Sequence, residues 1–134
     1  MRSATLMPAA PRRAIFSVAV SSLPSTIVPA WPKLMPLFEA DEHTEGIVIY
    51  TEPGGRMEAE LAAWVTEHNS RLPIVAFMAG RFMDEMPGMS FGHAGTIVEG
   101  KEDTATEKIA RLAEAGIVVA ERIEDIPDLV KERI

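Results

Sequence analysis

Short, nearly unbroken apolar runs alternate along this chain with stretches whose apolar residues recur every third or fourth position. The runs fall at residues 14–20, 46–51, 72–80 and 117–120. Each has strand length and is bounded by charged, proline or glycine residues, so four buried strands are predicted. Between the first two, Trp31, Leu34, Met35, Leu37 and Phe38 are spaced to share one side of a helix. Pro36 would cost about 3 kcal/mol in a helix interior, which predicts a kinked or broken helix. Residues 57–68 place Met57, Leu61, Trp64, Val65 and His68 on one face, with acids in the first turn, and predict an amphipathic helix. A third helix is predicted over 103–116, capped by Asp103, striped by Ile109, Leu112 and Ala113 and stopped by Gly116. A last one, over 123–133, turns Ile126, Leu129 and Val130 inward. Strand and helix in alternation imply an α/β domain with a parallel sheet covered on both faces.

The connections add information that the periodicity lacks. Glu52-Pro53-Gly54-Gly55 is a turn directly after the second strand. Residues 81–92 form a long loop after the third, of a length that is usually functional in a compact domain. That loop leads into Ser90-Phe91-Gly92-His93-Ala94-Gly95-Thr96, followed by a short helical turn through Val98. Parallel sheets hold ligands at the carboxyl ends of their strands. Ser21-Ser22, the turn at Glu52 and the loop to His93 are therefore expected on one edge of the molecule.

Composition narrows the chemistry. The 134 residues are a single-domain length and contain no cysteine, which removes disulfides, thiolate metal sites and thiol nucleophiles together. Residues 1–38 carry Arg2, Arg12, Arg13 and Lys33 and no acid, whereas the whole chain has net charge −7. An acidic body argues against nucleic-acid binding, for which a basic face supplies the phosphate-neutralising term. No window approaches the roughly 20 apolar residues of a membrane span. Residues 1–13, basic and proline-interrupted, are expected to be a disordered leader, with 14–134 the folded domain.

Within that frame His93 is the candidate reactive residue. Glycine on either side lets the backbone turn sharply and approach a ligand closely. Such a histidine can be a general base, a metal ligand or a nucleophile held by a carboxylate, or a loop histidine that bonds a neighbouring carbonyl. His43 and His68 fall at the opposite ends of their elements, so no histidine metal cluster is expected, and neither Ser90 nor Ser21 lies in a Gly-x-Ser-x-Gly elbow. Gly92, Ala94 and Gly95 would offer backbone N–H groups at a helix start, where a phosphate is stabilised. Glu52 could then orient a neutral His93 through one ring nitrogen and leave the other free to attack phosphorus.

Phe38-Glu39-Ala40-Asp41, Glu52-Pro53-Gly54-Gly55, Val75-Ala76-Phe77-Met78-Ala79-Gly80, Gly92-His93-Ala94-Gly95 and the stretch 101–116 together resemble one known family. It is the C-terminal ligase-CoA domain of the succinate-CoA ligase (succinyl-CoA synthetase) alpha subunit, with relatives in ATP citrate lyase and malate-CoA ligase. The resemblance implies a flavodoxin-like three-layer fold with a mostly parallel sheet. It also implies a phosphohistidine mechanism in which ATP or GTP charges the histidine, an acyl phosphate forms, and CoA displaces phosphate. His93 matches the phosphorylated residue and Glu52 the acid that steadies it, with Gly54, Gly55, Gly92, Ala94 and Gly95 as phosphate-binding positions. No covalently bound cofactor and no protein-held metal follow from it. CoA and a nucleotide with magnesium are expected as substrates, held largely by a CoA-binding Rossmann domain and a beta subunit of ATP-grasp type. A small carboxylic acid, succinate or else malate or citrate, is the expected acyl substrate, and the location is expected to be cytoplasmic, or the mitochondrial matrix in a eukaryote.

The sequence departs from the family pattern at several places. The Rossmann domain has no counterpart here. If the run at 14–20 matches the family's second strand, the family's central first strand is also missing, which is a truncation at the N-terminus. Thr51 and Pro53 stand where glycine and isoleucine are usual, and Met89-Ser90-Phe91 stands for Lys-Arg-Met, which withdraws positive charge from an anion site. The alternative to a phosphohistidine carrier is a truncated, non-catalytic chain that keeps the fold and the surface that meets the beta subunit.

Overall fold

The computed structural model describes residues 13–18, 31–86, 89 and 104–134, with the backbone alone at 13–18 and 31. Four strands, β1 (Arg13–Val18), β2 (Thr44–Thr51), β3 (Ile74–Met78) and β4 (Val118–Ala120), form one sheet in the order β1-β2-β3-β4. Every neighbouring pair is parallel. The helices are α1 (Trp31–Ala40), α2 (Met57–His68), α3 (Ala105–Glu114) and α4 (Ile126–Lys131).

Alternation along the strands builds two buried faces. Ile47, Ile49, Ile74 and Ala76 pack with Met35, Leu61, Leu72 and Leu112 in the main core, against which Phe38, Trp64 and Val65 also rest. Sequential parallel strands joined by crossovers of one hand carry their helices on a common face, and α2 packs against both α1 and α3. The alternate residues Val48 and Val75 are buried on the other face, where α4 packs over β2, β3 and β4. Helix, sheet and helix are the three α/β layers that the alternating pattern predicts. β1 lies directly beside β2, with Ala14 opposite Gly46 and Val18 opposite Tyr50.

Several local expectations are corrected. α1 is not broken at Pro36, which lies inside the helix. It holds because it buries Met35 to 1 % and packs Phe38 on the core, and because the carbonyls at its end find donors. The Arg71 guanidinium bonds the carbonyl oxygens of Phe38, Glu39, Asp41 and Thr44 at 3.0–3.3 Å, and Nε pairs with the Glu39 carboxylate at 3.3 Å. The N-cap of α3 is Thr104, whose side chain accepts from the Glu107 N–H, while Asp103, the expected cap, lies outside the described residues. The buried stripe of α3 is Ala105, Lys108 and Leu112, while Ile109 is half-buried and Ala113 is exposed. The last helix opens as a 3-10 turn over Ile123–Asp125, and Ile126, Leu129 and Val130 are only half-buried. Among the described residues no helix is long and apolar enough to cross a membrane.

Candidate functional site

Because all four strands are parallel, Thr51, Met78 and Ala120 end on the same edge of the sheet. Glu52, Gly54 and Gly55 lie there, immediately after β2. Gly54 and Gly55 have φ of 90° and 71°, a left-handed pair that side chains other than glycine's strain to adopt. The turn is packed as well as bent. Pro53 is fully buried, and a Cβ added at Gly80 would come within 3.0 Å of Pro53 Cδ, so the turn after β2 and the turn after β3 are in close contact. Glu52 is half-buried, with one carboxylate oxygen shielded from solvent. Gly92, His93, Ala94 and Gly95 lie outside the described residues, as does Ser21-Ser22.

A buried ionic cluster underlies this turn. Glu58, in the first turn of α2, and Lys108, in the second turn of α3, have side chains 0 % and 3 % exposed and pair at 2.7 Å. Lys108 Nζ also donates to the Glu52 carbonyl at 3.1 Å and to the Gly54 carbonyl. An ammonium has three N–H donors, and all three are matched by oxygens. The other Glu58 oxygen accepts from the hydroxyl of Thr51, the last residue of β2. Thr51 thus has a structural task at a position where glycine is usual in the resembling family.

A second carboxylate ties the loop after β3 to α3. A 3-10 turn over Arg81–Glu85 follows β3. From it Asp84 accepts the N–H groups of Ala105 and Thr106 and the Thr106 hydroxyl, each at 2.8 Å. Partial burial raises the pKa of this carboxyl, but the bonds from the Thr106 hydroxyl and the two N–H groups outweigh it and hold the value below normal. Asp84 therefore ties the turn after β3 to the N-terminus of α3.

Neither cluster is among the residues that periodicity singles out as functional, but the spacing of Glu58 and Lys108 carries a signal. Glu58 precedes Leu61 and Ala62 by three and four residues, and Lys108 follows Ala105 by three and precedes Leu112 by four. An acid and a base, each inside the apolar stripe of its own helix, mark a buried pair.

The other histidines remain structural. His68 is exposed, stacks on Trp64 with ring centroids 4.3 Å apart, and has Nδ1 2.9 Å from the Trp64 carbonyl. His43 is exposed in the turn before β2, where its N–H bonds Asp41. Both are at the amino edge, away from Glu52. A depression of about 630 Å³ bordered by Asn69, Arg71, Pro73 and Arg133 is at that edge too, remote from the glycine turn. Among the described residues no group of three acids or histidines is placed to hold a metal ion.

Comparison with known proteins decides the ancestry. The family described as CoA-ligase matches residues 32–118. The chain belongs to the CoA-ligase family. It is 40 % identical over 93 residues to the alpha 1 subunit of an ADP-forming succinate-CoA ligase from Archaeoglobus fulgidus, covering 69 % of this chain and 31 % of that one. It is 41 % identical over 99 residues to a subunit of an ADP-forming sulfoacetate-CoA ligase from Bilophila wadsworthia, covering 74 % and 33 %. An ATP citrate lyase of Methanosaeta concilii, solved in complex with (3S)-citryl-CoA, superposes with a TM-score of 0.67 at 25 % identity, over 73 % of this chain and 16 % of that one. The chain thus spans about a third of the length of the curated relatives it matches. The match begins within α1 and takes in β2, α2, β3 and α3, so the Glu52 turn and the Glu58–Lys108 pair both belong to the shared region.

Proposed function

We propose that this chain is the phosphohistidine-carrying domain of an acid-CoA ligase, with His93 as carrier and Glu52 as its orienting acid. The observation that carries the reading is the placement of Glu52. It stands on a left-handed glycine turn at the carboxyl edge of a parallel sheet, in a chain of the CoA-ligase family.

The chemistry divides into three transfers. A ring nitrogen of His93 attacks the terminal phosphorus of ATP or GTP, forming a P–N bond as the P–O bond to the departing nucleoside diphosphate breaks. A carboxylate oxygen of the acid substrate then takes the phosphoryl group, giving an acyl phosphate and returning neutral His93. Finally the CoA sulfur attacks the acyl carbon, phosphate leaves with the bonding pair, and the thiol proton passes to solvent. Glu52 assists the first two transfers by accepting a ring N–H. That bond fixes the tautomer and stabilises the cationic ring. Gly54 and Gly55 let the backbone come close to the phosphoryl group, and Gly92, Ala94 and Gly95 offer it backbone N–H groups on the His93 side. The nucleotide with its magnesium is held by an ATP-grasp beta subunit, and most of CoA by the family's Rossmann domain. The acid is small, and succinate, malate, citrate and sulfoacetate all fall within the chemistry of the relatives.

Phosphorylation tests the reading directly. With the partner subunit and labelled ATP or GTP, the full chain is expected to take up acid-labile, alkali-stable label that is lost in His93→Ala. A wild-type chain that takes no label would instead support a non-catalytic chain that keeps the fold and the subunit contact surface.

A further inference from the structure

Two opposite charges in a protein core seldom add stability over apolar residues of the same volume, because desolvation offsets their attraction. The Glu58–Lys108 pair is almost wholly buried, so packing of α2 on α3 does not account for the choice of residues. What lysine adds at position 108 is donors. Two of its three N–H groups go to the carbonyl oxygens of Glu52 and Gly54, on the turn beyond the end of β2. The third goes to Glu58, which neutralises the charge, while the Thr51 hydroxyl holds the other Glu58 oxygen. One ammonium group thereby connects β2, the Glu52 turn, α2 and α3.

We infer that Lys108 is a positioning residue: a buried ammonium, balanced by Glu58 and steadied by Thr51, that fixes the backbone of Glu52 and Gly54 and so aims the Glu52 carboxylate. The inference rests on the reading of Glu52 as the orienting acid. It assigns the cluster a role in turnover and makes Thr51 part of that device.

The test uses the full chain with its partner subunit and labelled ATP. Lys108→Met with Glu58→Gln removes both charges at nearly constant volume, and this double variant is expected to keep a cooperative unfolding transition. Its phosphorylation rate is expected to fall about tenfold or more, since misplacing a group by about 1 Å can cost on the order of a hundredfold. In a Glu52→Gln background the same pair should add no further loss, because both changes act through one carboxylate. A wild-type rate in the folded double variant, or losses that multiply in the Glu52→Gln background, would overturn the inference. Amide exchange supplies a readout independent of phosphoryl transfer. The Gly54 and Gly55 N–H groups should exchange faster in the double variant while those of Leu61 and Ala62 do not change. Unaltered exchange at the two glycines refutes the tether, whereas absence of label on the wild-type chain refutes only the phosphohistidine reading. Thr51→Val, which keeps the β-branched shape but withdraws the hydroxyl, is the second variant if the double one fails to fold. It too should speed Gly54 and Gly55 exchange, and no change there counts against the tether.

Discussion

Replacing Asp84 by alanine should uncouple the loop after β3 from α3 by an amount that the local geometry sets. The carboxylate accepts two backbone N–H groups and one hydroxyl, all at 2.8 Å. Bonds to a charged acceptor contribute about 1.5–3 kcal/mol each when buried. Asp84 is only half-buried, and water can replace part of what is lost. Helix caps removed to alanine cost about 0.5–2 kcal/mol, and a negative charge at a helix N-terminus adds about 0.3–1 kcal/mol. Together these give about 2 kcal/mol for Asp84→Ala and about half of that for Asp84→Asn, which keeps an acceptor but loses the charge. An unfolding entropy near 2.1 cal/mol/K per residue over 134 residues converts 2 kcal/mol into a fall in Tm of about 7 °C.

The pH dependence follows from the lowered carboxyl pKa. A folded value below the unfolded 3.8 means that the contribution is fully present above 3.8 and is lost as pH falls through the folded value. Denaturant titrations of wild type and Asp84→Asn at neutral pH, repeated down to the lowest pH at which both chains fold, check both points. A gap below about 0.3 kcal/mol at neutral pH, or one that does not narrow in acid, would refute the reasoning.

Three further outcomes are expected. Glu52→Gln should slow phosphorylation of the chain by about tenfold or more while leaving the denaturation midpoint unchanged; a cooperative loss of stability would make Glu52 structural. Gly80→Ala should cost about 2 kcal/mol, because φ is +68° and the new Cβ would meet Met83 Sδ and Pro53 Cδ at 3.0 Å. Chemical denaturation reads this change, and a neutral result would mean that the two turns shift apart freely. Lys108→Met alone, which leaves Glu58 buried without its counter-charge, should destabilise by about 3–5 kcal/mol. The Lys108→Met, Glu58→Gln pair should recover most of that loss in the same titration.

Much of the fold was legible because the signals were local. α2 spans 57–68, as its apolar spacing predicts, and Gly116 adopts the left-handed turn that ends α3. What local signals missed came largely from partners far away in sequence. The start of α3 is served by Thr104 and also by Asp84, twenty residues upstream of that cap. Lys108 and Glu58 carry full charges, so a stripe drawn through apolar residues alone passes over them and rotates towards Ala113 on α3, although their spacing places each within the buried face of its helix. Only the crossing of α2 with α3 gives each charge its counterpart. Pro36 was weighed at its intrinsic cost, without the core contacts of Met35 and Phe38 that offset it.

The candidate site was partly legible for a related reason. Parallel topology places Glu52 at the carboxyl edge, and the glycine pair announces the turn. The support beneath that turn is written in side chains on three separate elements, and no single stretch reveals it.

In the proposed function Glu52 and His93 are the working pair, whereas His43 and His68 are exposed surface residues. The most direct measurement is therefore to locate phosphate on the chain, charged by ATP with its partner subunit, by peptide mapping at neutral to alkaline pH. Three histidines compete, at 43, 68 and 93. Phosphate confined to His93, and reduced in Glu52→Gln, is the predicted result. Phosphate on His43 or His68, or on none of the three, would contradict it.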